Sequence, residues 1–186
     1  MKIKWINSSN NWREIANAAR TTIGMEAGEG EPSREWKRKI LRAEHSPIRL
    51  LKIRWKWVEL PYYVSNHMVR HKIGIEHFVK SQRSDRTGDN IRDRSDSPQG
   101  ELIEHECEAN AQALINISRK RLCNQAHDNT ILAWEKVIVQ LKDIEPELFQ
   151  ICVPECIYRG FCPEFKSCGF IETSRYKKVR KHYVTS

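Results

Sequence analysis

The stretch RHKIGIEHFVKSQRSDR, residues 70–86, decides how the rest of the chain is read. It sets Arg70-His71-Lys72, and later Arg83 and Arg86, around a short apolar run of Ile73, Ile75, Phe78 and Val79. Like charges repel and lose hydration when gathered, so a fold that concentrates them usually has an anion to hold. Ser81 and Gln82 precede Arg83 and add neutral hydrogen-bond donors, which suits a phosphate. The alternative is a solvated basic loop.

Working outward, 186 residues suffice for one domain with a core of its own. Hydrophobic residues make up 39% and charged residues 30%, the balance of a globular, soluble protein. No run reaches the roughly 18 apolar residues of a membrane helix. The opening MKIKWINSSN lacks the apolar core of an export signal, so a cytoplasmic location is expected. The formal charge of +8 and a pI near 9.3 favour anionic partners, nucleotides or nucleic acid. Six cysteines in such a chain point to reduced thiols rather than a disulfide framework.

Alternation predicts a half-buried strand over Met1 to Ile6, with Ile3 and Trp5 on one face. The polar cluster Asn7 to Asn10 can cap a helix that ends at Arg20-Thr21-Thr22. Ser33 caps a basic helix through Arg42, and Glu44-His45-Ser46-Pro47 breaks it. Leu51, Ile53, Trp55 and Trp57 then alternate with Lys52, Arg54 and Lys56, the clearest strand pattern in the chain. Pro61 opens a short helix that delivers the Arg70 stretch. Thr87 to Gln99 reads as a polar loop, and a long helix is expected from about Gln99 to Leu122. On it Asn110, Leu114, Ile117 and Arg121 share one stripe, with Asn110 and Arg121 about 16 Å apart. Asp128 can cap a further apolar helix.

Four segments in order then resemble the flavin-dependent thymidylate synthases. Arg70-His71-Lys72 and Ser81-Gln82-Arg83 resemble the two halves of the family signature. Ala18-Ala19-Arg20-Thr21-Thr22 is similar to its N-terminal A-A-R-V-S. Glu44-His45-Ser46-Pro47 is similar to its H-x-T/S-P segment. Asn110-Ala111-Gln112, followed by Asn116 and Arg121, is similar to its N-A-R helix.

The resemblance covers most of residues 1–150 and leaves 151–186 as a cysteine-rich, basic C-terminal tail. It implies an α+β fold, an antiparallel or mixed sheet with packed helices, assembled as a homotetramer. Several subunits would build each active site around FAD. The implied reaction methylates dUMP to dTMP, with methylenetetrahydrofolate as carbon donor and NADPH as reductant. By position, Thr22, Arg70, His71, Lys72, Ile73, Asn110 and Asn116 would contact FAD. Ser81, Gln82 and Arg83 would hold the dUMP phosphate, and Arg121 would reach the nucleotide. His45, or its neighbour Glu44, would sit near pterin and flavin. Arg121 and His45 are the implied catalytic residues. Lys72 replaces an Arg of the pattern, Ile75 a Ser, and Gln112 the Arg of N-A-R. The segment between Arg86 and Asn110 is short, and Arg94 is the candidate for a phosphate-binding Arg normally supplied there.

Beyond the resemblance, Cys152, Cys156, Cys162 and Cys168 fall close together in CVPECIYRGFCPEFKSC. They predict a structural zinc site, with an iron–sulfur cluster or four ordinary packed thiols as the alternatives. The last stretch, SRYKKVRKHYVTS, reads as a solvated basic tail, one that can touch nucleic acid. Two other functions stay open. One is a related flavoenzyme that modifies a pyrimidine deoxynucleotide differently, for example by hydroxymethylation. The other is a non-enzymatic, zinc-containing nucleic-acid-binding protein that uses Lys52, Arg54 and Lys56.

Overall fold

The alternation around Trp55 builds the middle of a sheet. The computed structural model describes residues 1–83, 86 and 97–185. Within them the strands are β1 (Lys2–Ser8), β2 (Lys52–Pro61), β3 (Ile75–Val79) and β4 (Leu102–Asn110). Their order is β1-β2-β4-β3, and every pair is antiparallel. The fold is therefore the expected α+β arrangement of an antiparallel sheet with packed helices. Ile53, Trp55 and Trp57 are fully buried on one face of β2. On the other face Arg54 pairs with Glu106, and Lys56 reaches Glu104 at 2.6 Å. Arg54 and Lys56, two of the cations on this face, are thus matched by glutamates of β4.

The long helix expected from Gln99 to Leu122 is instead β4 followed by the helix Ala111–Arg121. Ile103, His105, Cys107 and Ala109 are buried, with Glu104, Glu106 and Glu108 between them. Glu and Ala are good helix formers, but propensity is a weak force, and pairing on both sides, to β2 and β3, overrides it. Asn110 becomes the N-cap, its side-chain oxygen accepting from the Ala113 N–H at 2.8 Å.

The helices are α1 (Trp12–Thr21), α2 (Arg34–Arg42), α3 (Tyr62–Met68), α4 (Ala111–Arg121), α5 (Asp128–Ile144), α6 (Pro146–Ile151), α7 (Glu155–Arg159) and α8 (Ser174–Thr185). Short 3-10 turns cover Ser46–Leu50 and Phe170–Glu172. Ser33 caps α2 as expected, accepting from the Trp36 N–H at 3.2 Å. At α5 the capping side chain is His127, not Asp128. The core centres on Trp55, which packs edge-on against Trp57 and Trp134 at 5.4 and 5.8 Å between ring centres. Trp57 Nε1 donates to the Ala133 carbonyl at 3.1 Å, and Trp134 Nε1 to Ser118 Oγ at 2.9 Å.

The last stretch is not a solvated tail. It is α8, whose Tyr176 and Tyr183 are buried in the same core cluster. Two turns separate them, so both fall on one face. Arg42 lies over the Tyr183 ring at 5.0 Å and donates to the Val184 carbonyl at 3.2 Å. Among the described residues no helix is long and apolar enough to cross a membrane.

Candidate active site

The Arg70 stretch leaves α3 and reaches β3 through Gly74, whose φ of +73° lies in the left-handed region. The Gly74 carbonyl accepts the Asn110 N–H at 2.9 Å. A Cβ at Gly74 would stand 2.5 Å from Asn110 Nδ2. Asn110 therefore does two things: it caps α4 and presses on the Arg70–Gly74 loop. Arg70, Lys72 and Ile73 stay exposed on that loop, Ile73 at 89%.

The far end of α4 fastens to the same loop. Arg121 Nε donates to His71 Nε2 at 2.8 Å, and Nη2 donates to the His67 carbonyl at 2.6 Å. A nitrogen that accepts from a guanidinium carries no proton, so His71 is neutral with its hydrogen on Nδ1. Burial, then the Arg121 charge, holds the His71 pKa down to about 4. Burial and the nearby Arg70 charge also lower the pKa of Arg121.

Beneath this contact lies a hydrogen-bonded network. His77 Nε2 donates to the His71 carbonyl at 2.8 Å. His77 Nδ1 is then an acceptor and lies 3.0 Å from His105 Nε2. His105 Nδ1 in turn lies 3.0 Å from Ser65 Oγ. Cys107, opposite His77 across the β3–β4 pair, sits 3.3 Å from both imidazoles. Burial holds His105 down to about 3 and pushes the Cys107 thiol well above its usual range. Three donor atoms within 4.8 Å of one another could hold a metal. Here the three satisfy one another by hydrogen bonds.

Other expected site residues fall into separate groups. Glu44, with φ of +49°, accepts from Gln112 and from the Arg119 guanidinium. Asn116 Oδ1 accepts from Gln112 Nε2 and Arg119 Nη1, each at 3.3 Å. Arg119 also stacks on Tyr158 at 3.6 Å. Asn116 thus joins the Glu44 side of α4 rather than the His71 side, and His45 is exposed beside Glu44. Thr22 is exposed at the end of α1, its hydroxyl donating to the Ala19 carbonyl at 2.7 Å. Ser81 Oγ accepts from the Arg83 N–H at 3.2 Å, and Gln82 donates to Glu101 at 3.1 Å. Arg83 is exposed, and Arg94 lies outside the described residues, as does most of the polar loop expected over 87–99.

The expected zinc ligands divide as well. Cys156, Cys162 and Cys168 line one small cavity, and Cys123 lines it with them. Cys152 is buried in the core, beside Ser118.

Sequence reasoning missed Arg119, His67, His77 and His105. The signal for His105 and Cys107 was the alternation of β4, hidden by its helix-forming glutamates.

No protein-family model and no curated protein matches this sequence. Solved structures do. A flavin-dependent thymidylate synthase ThyX from Helicobacter pylori, complexed with FAD and dUMP, is 15% identical with a TM-score of 0.65. The match covers 82% of this chain and all 100% of that one. A second ThyX structure from Helicobacter pylori with FAD and dUMP is 14% identical with a TM-score of 0.63, covering 82% and 98%. A UMP/dUMP methylase PolB from Streptomyces cacaoi, bound with 5-Br dUMP, is 13% identical with a TM-score of 0.61, covering 86% and 94%. This chain has the fold of those flavin-dependent thymidylate synthases.

Proposed function

We propose that this protein is an FAD-dependent enzyme that methylates dUMP to dTMP, with methylenetetrahydrofolate as carbon donor and NADPH as reductant. One observation carries the reading. Both ends of α4, Asn110 and Arg121, fasten to the loop that presents Arg70, Lys72 and Ile73. The neighbours of this fold are described with FAD and dUMP bound.

The exposed cations and the exposed Ile73 fit a ligand that is both anionic and flat. Arg70, His71, Lys72, Ile73 and Asn110 would hold FAD, with Thr22 and Asn116 reaching it from other subunits. Bound flavin supplies the hydride chemistry, so the protein's share is position and charge. Ser81, Gln82 and Arg83 would take the dUMP phosphate. Arg121, steered by His71 and the His67 carbonyl, would meet the uracil edge with the rest of its fork. Its charge there stabilises negative charge developing on the ring. His45 would sit by the pterin. The expected site residues of one chain stand in separate groups, which favours assembly as a homotetramer whose subunits share each site. The catalytic unit is residues 1–150, with 151–186 as an extension packed on it.

Hydroxymethylation is the second reading, favoured by Gln112. The family's Arg is replaced there by a Gln that hydrogen-bonds Glu44 beside the expected pterin position.

Flavin retention and light scattering test the binding half of the proposal. Incubation with excess FAD should give a yellow tetramer that binds dUMP. A colourless monomer with no affinity for dUMP would overturn it.

A further inference from the structure

We propose that Cys123, Cys156, Cys162 and Cys168 bind one structural zinc ion as a four-thiolate site. All four line a single cavity of about 20 Å³ between the end of α4, α7 and the loop 160–169. The two remaining cysteines, Cys107 and Cys152, are buried elsewhere in the core. Proximity in sequence suggested Cys152 as the fourth ligand. The chain turns it inward at the end of α6, and Cys123, from the turn after α4, takes its place.

The site has the parts a thiolate centre needs. Cys123 and Cys156 stand on anchored backbone, and Cys162 and Cys168 on a loop between two left-handed glycines, Gly160 and Gly169. Gln125 Nε2 donates to the Lys166 carbonyl at 2.7 Å, tying that loop to the Cys123 turn. Backbone N–H groups face two of the sulfurs, that of Gln125 at Cys123 and that of Ile157 at Cys156. Such N–H groups stabilise a thiolate.

The cavity's volume, near 20 Å³, is about that of one water-sized sphere. No three of these thiols are mutually within 4.8 Å, whereas a tetrahedral zinc site sets sulfurs about 3.8 Å apart. Binding therefore draws the loop cysteines inward, and each ligating thiol releases its proton to solvent. Phe161 and Phe165 of this loop are exposed. The ion would join α7 and the loop 160–169 to the end of α4.

The test is elemental analysis of the full chain, purified without chelator and after zinc reconstitution, for the parent, Cys123→Ser and Cys152→Ser. The parent and Cys152→Ser should hold about one zinc per chain, and Cys123→Ser should bind it at least about a hundredfold more weakly. Cobalt in the parent should give the intense sulfur-to-metal absorption of four thiolates. Should Cys123→Ser fail to fold, alkylation mapped by mass on the parent decides. A chelator should then unmask Cys123, Cys156, Cys162 and Cys168. Absence of zinc after reconstitution, iron with sulfide in its place, a mapping unchanged by chelator, or loss of zinc in Cys152→Ser but not Cys123→Ser would each overturn the assignment.

Discussion

Arg121 donates its Nε–H to His71 Nε2 at 2.8 Å, so a cation of α4 is fixed by a histidine that must stay neutral. Protonating His71 would set two positive groups in contact and remove the acceptor. The pair is thus a switch with one working state at neutral pH.

Removing Arg121 should therefore free His71 to titrate. In the parent its pKa is about 4, set by burial and by the Arg121 charge. In Arg121→Ala it should rise toward the ordinary histidine value, read by imidazole NMR shifts against pH. An unchanged His71 titration would show that the guanidinium does not govern it.

Stability should fall with acid through the same histidines. His71 and His105 have folded pKa values below the unfolded value, about 4 and about 3. The unfolded chain binds more protons once pH drops below about 6.5, so stability is lost from there down toward the folded values. Well-buried His105 alone contributes a slope of up to about 1.4 kcal/mol per pH unit. Half-buried His71 adds less, because solvent screens it. Urea midpoints between neutral and acid pH should shift less in His105→Gln than in the parent, and equal shifts would refute the assignment.

Gly74→Ala should destabilise the fold by roughly 1–3 kcal/mol and lower flavin retention. The substitution strains a φ of +73° and drives a methyl to 2.5 Å from Asn110 Nδ2. Thermal unfolding and flavin absorbance read both effects. A variant with parental melting and full flavin would show that the loop is not locked here.

Arg83→Ala should weaken dUMP binding by about tenfold to a hundredfold or more, the worth of charge-assisted hydrogen bonds at about 1.5–3 kcal/mol. Flavin content should not change, since Arg83 lies past β3 rather than on the Arg70–Gly74 loop. Equal dUMP affinity in variant and parent would put the phosphate elsewhere.

Much of this architecture was legible in the sequence. The period-two run through Trp55 and Trp57 gave β2, Ser33 gave a cap, and the order of four short motifs pointed to a fold now seen at 13–15% identity. β4 was misread because its outward positions are glutamates, good helix formers, and strand pairing is a long-range effect. Tyr176 and Tyr183 share a helix face, but a run of lysines and arginines between them masked it. Cys123 was passed over because its spatial neighbours lie far along the chain. An antiparallel or mixed sheet was expected, whereas the contact of Arg121 with His71 was not.

The central claim is the reaction, and product analysis tests it most directly. Flavin-loaded protein would be incubated with dUMP, methylenetetrahydrofolate and NADPH, and the nucleotides resolved by chromatography and mass. The account predicts dTMP, formed only when flavin is present and lost in Arg121→Ala. Hydroxymethylated nucleotide, or unchanged dUMP from protein that demonstrably holds both flavin and nucleotide, would contradict it.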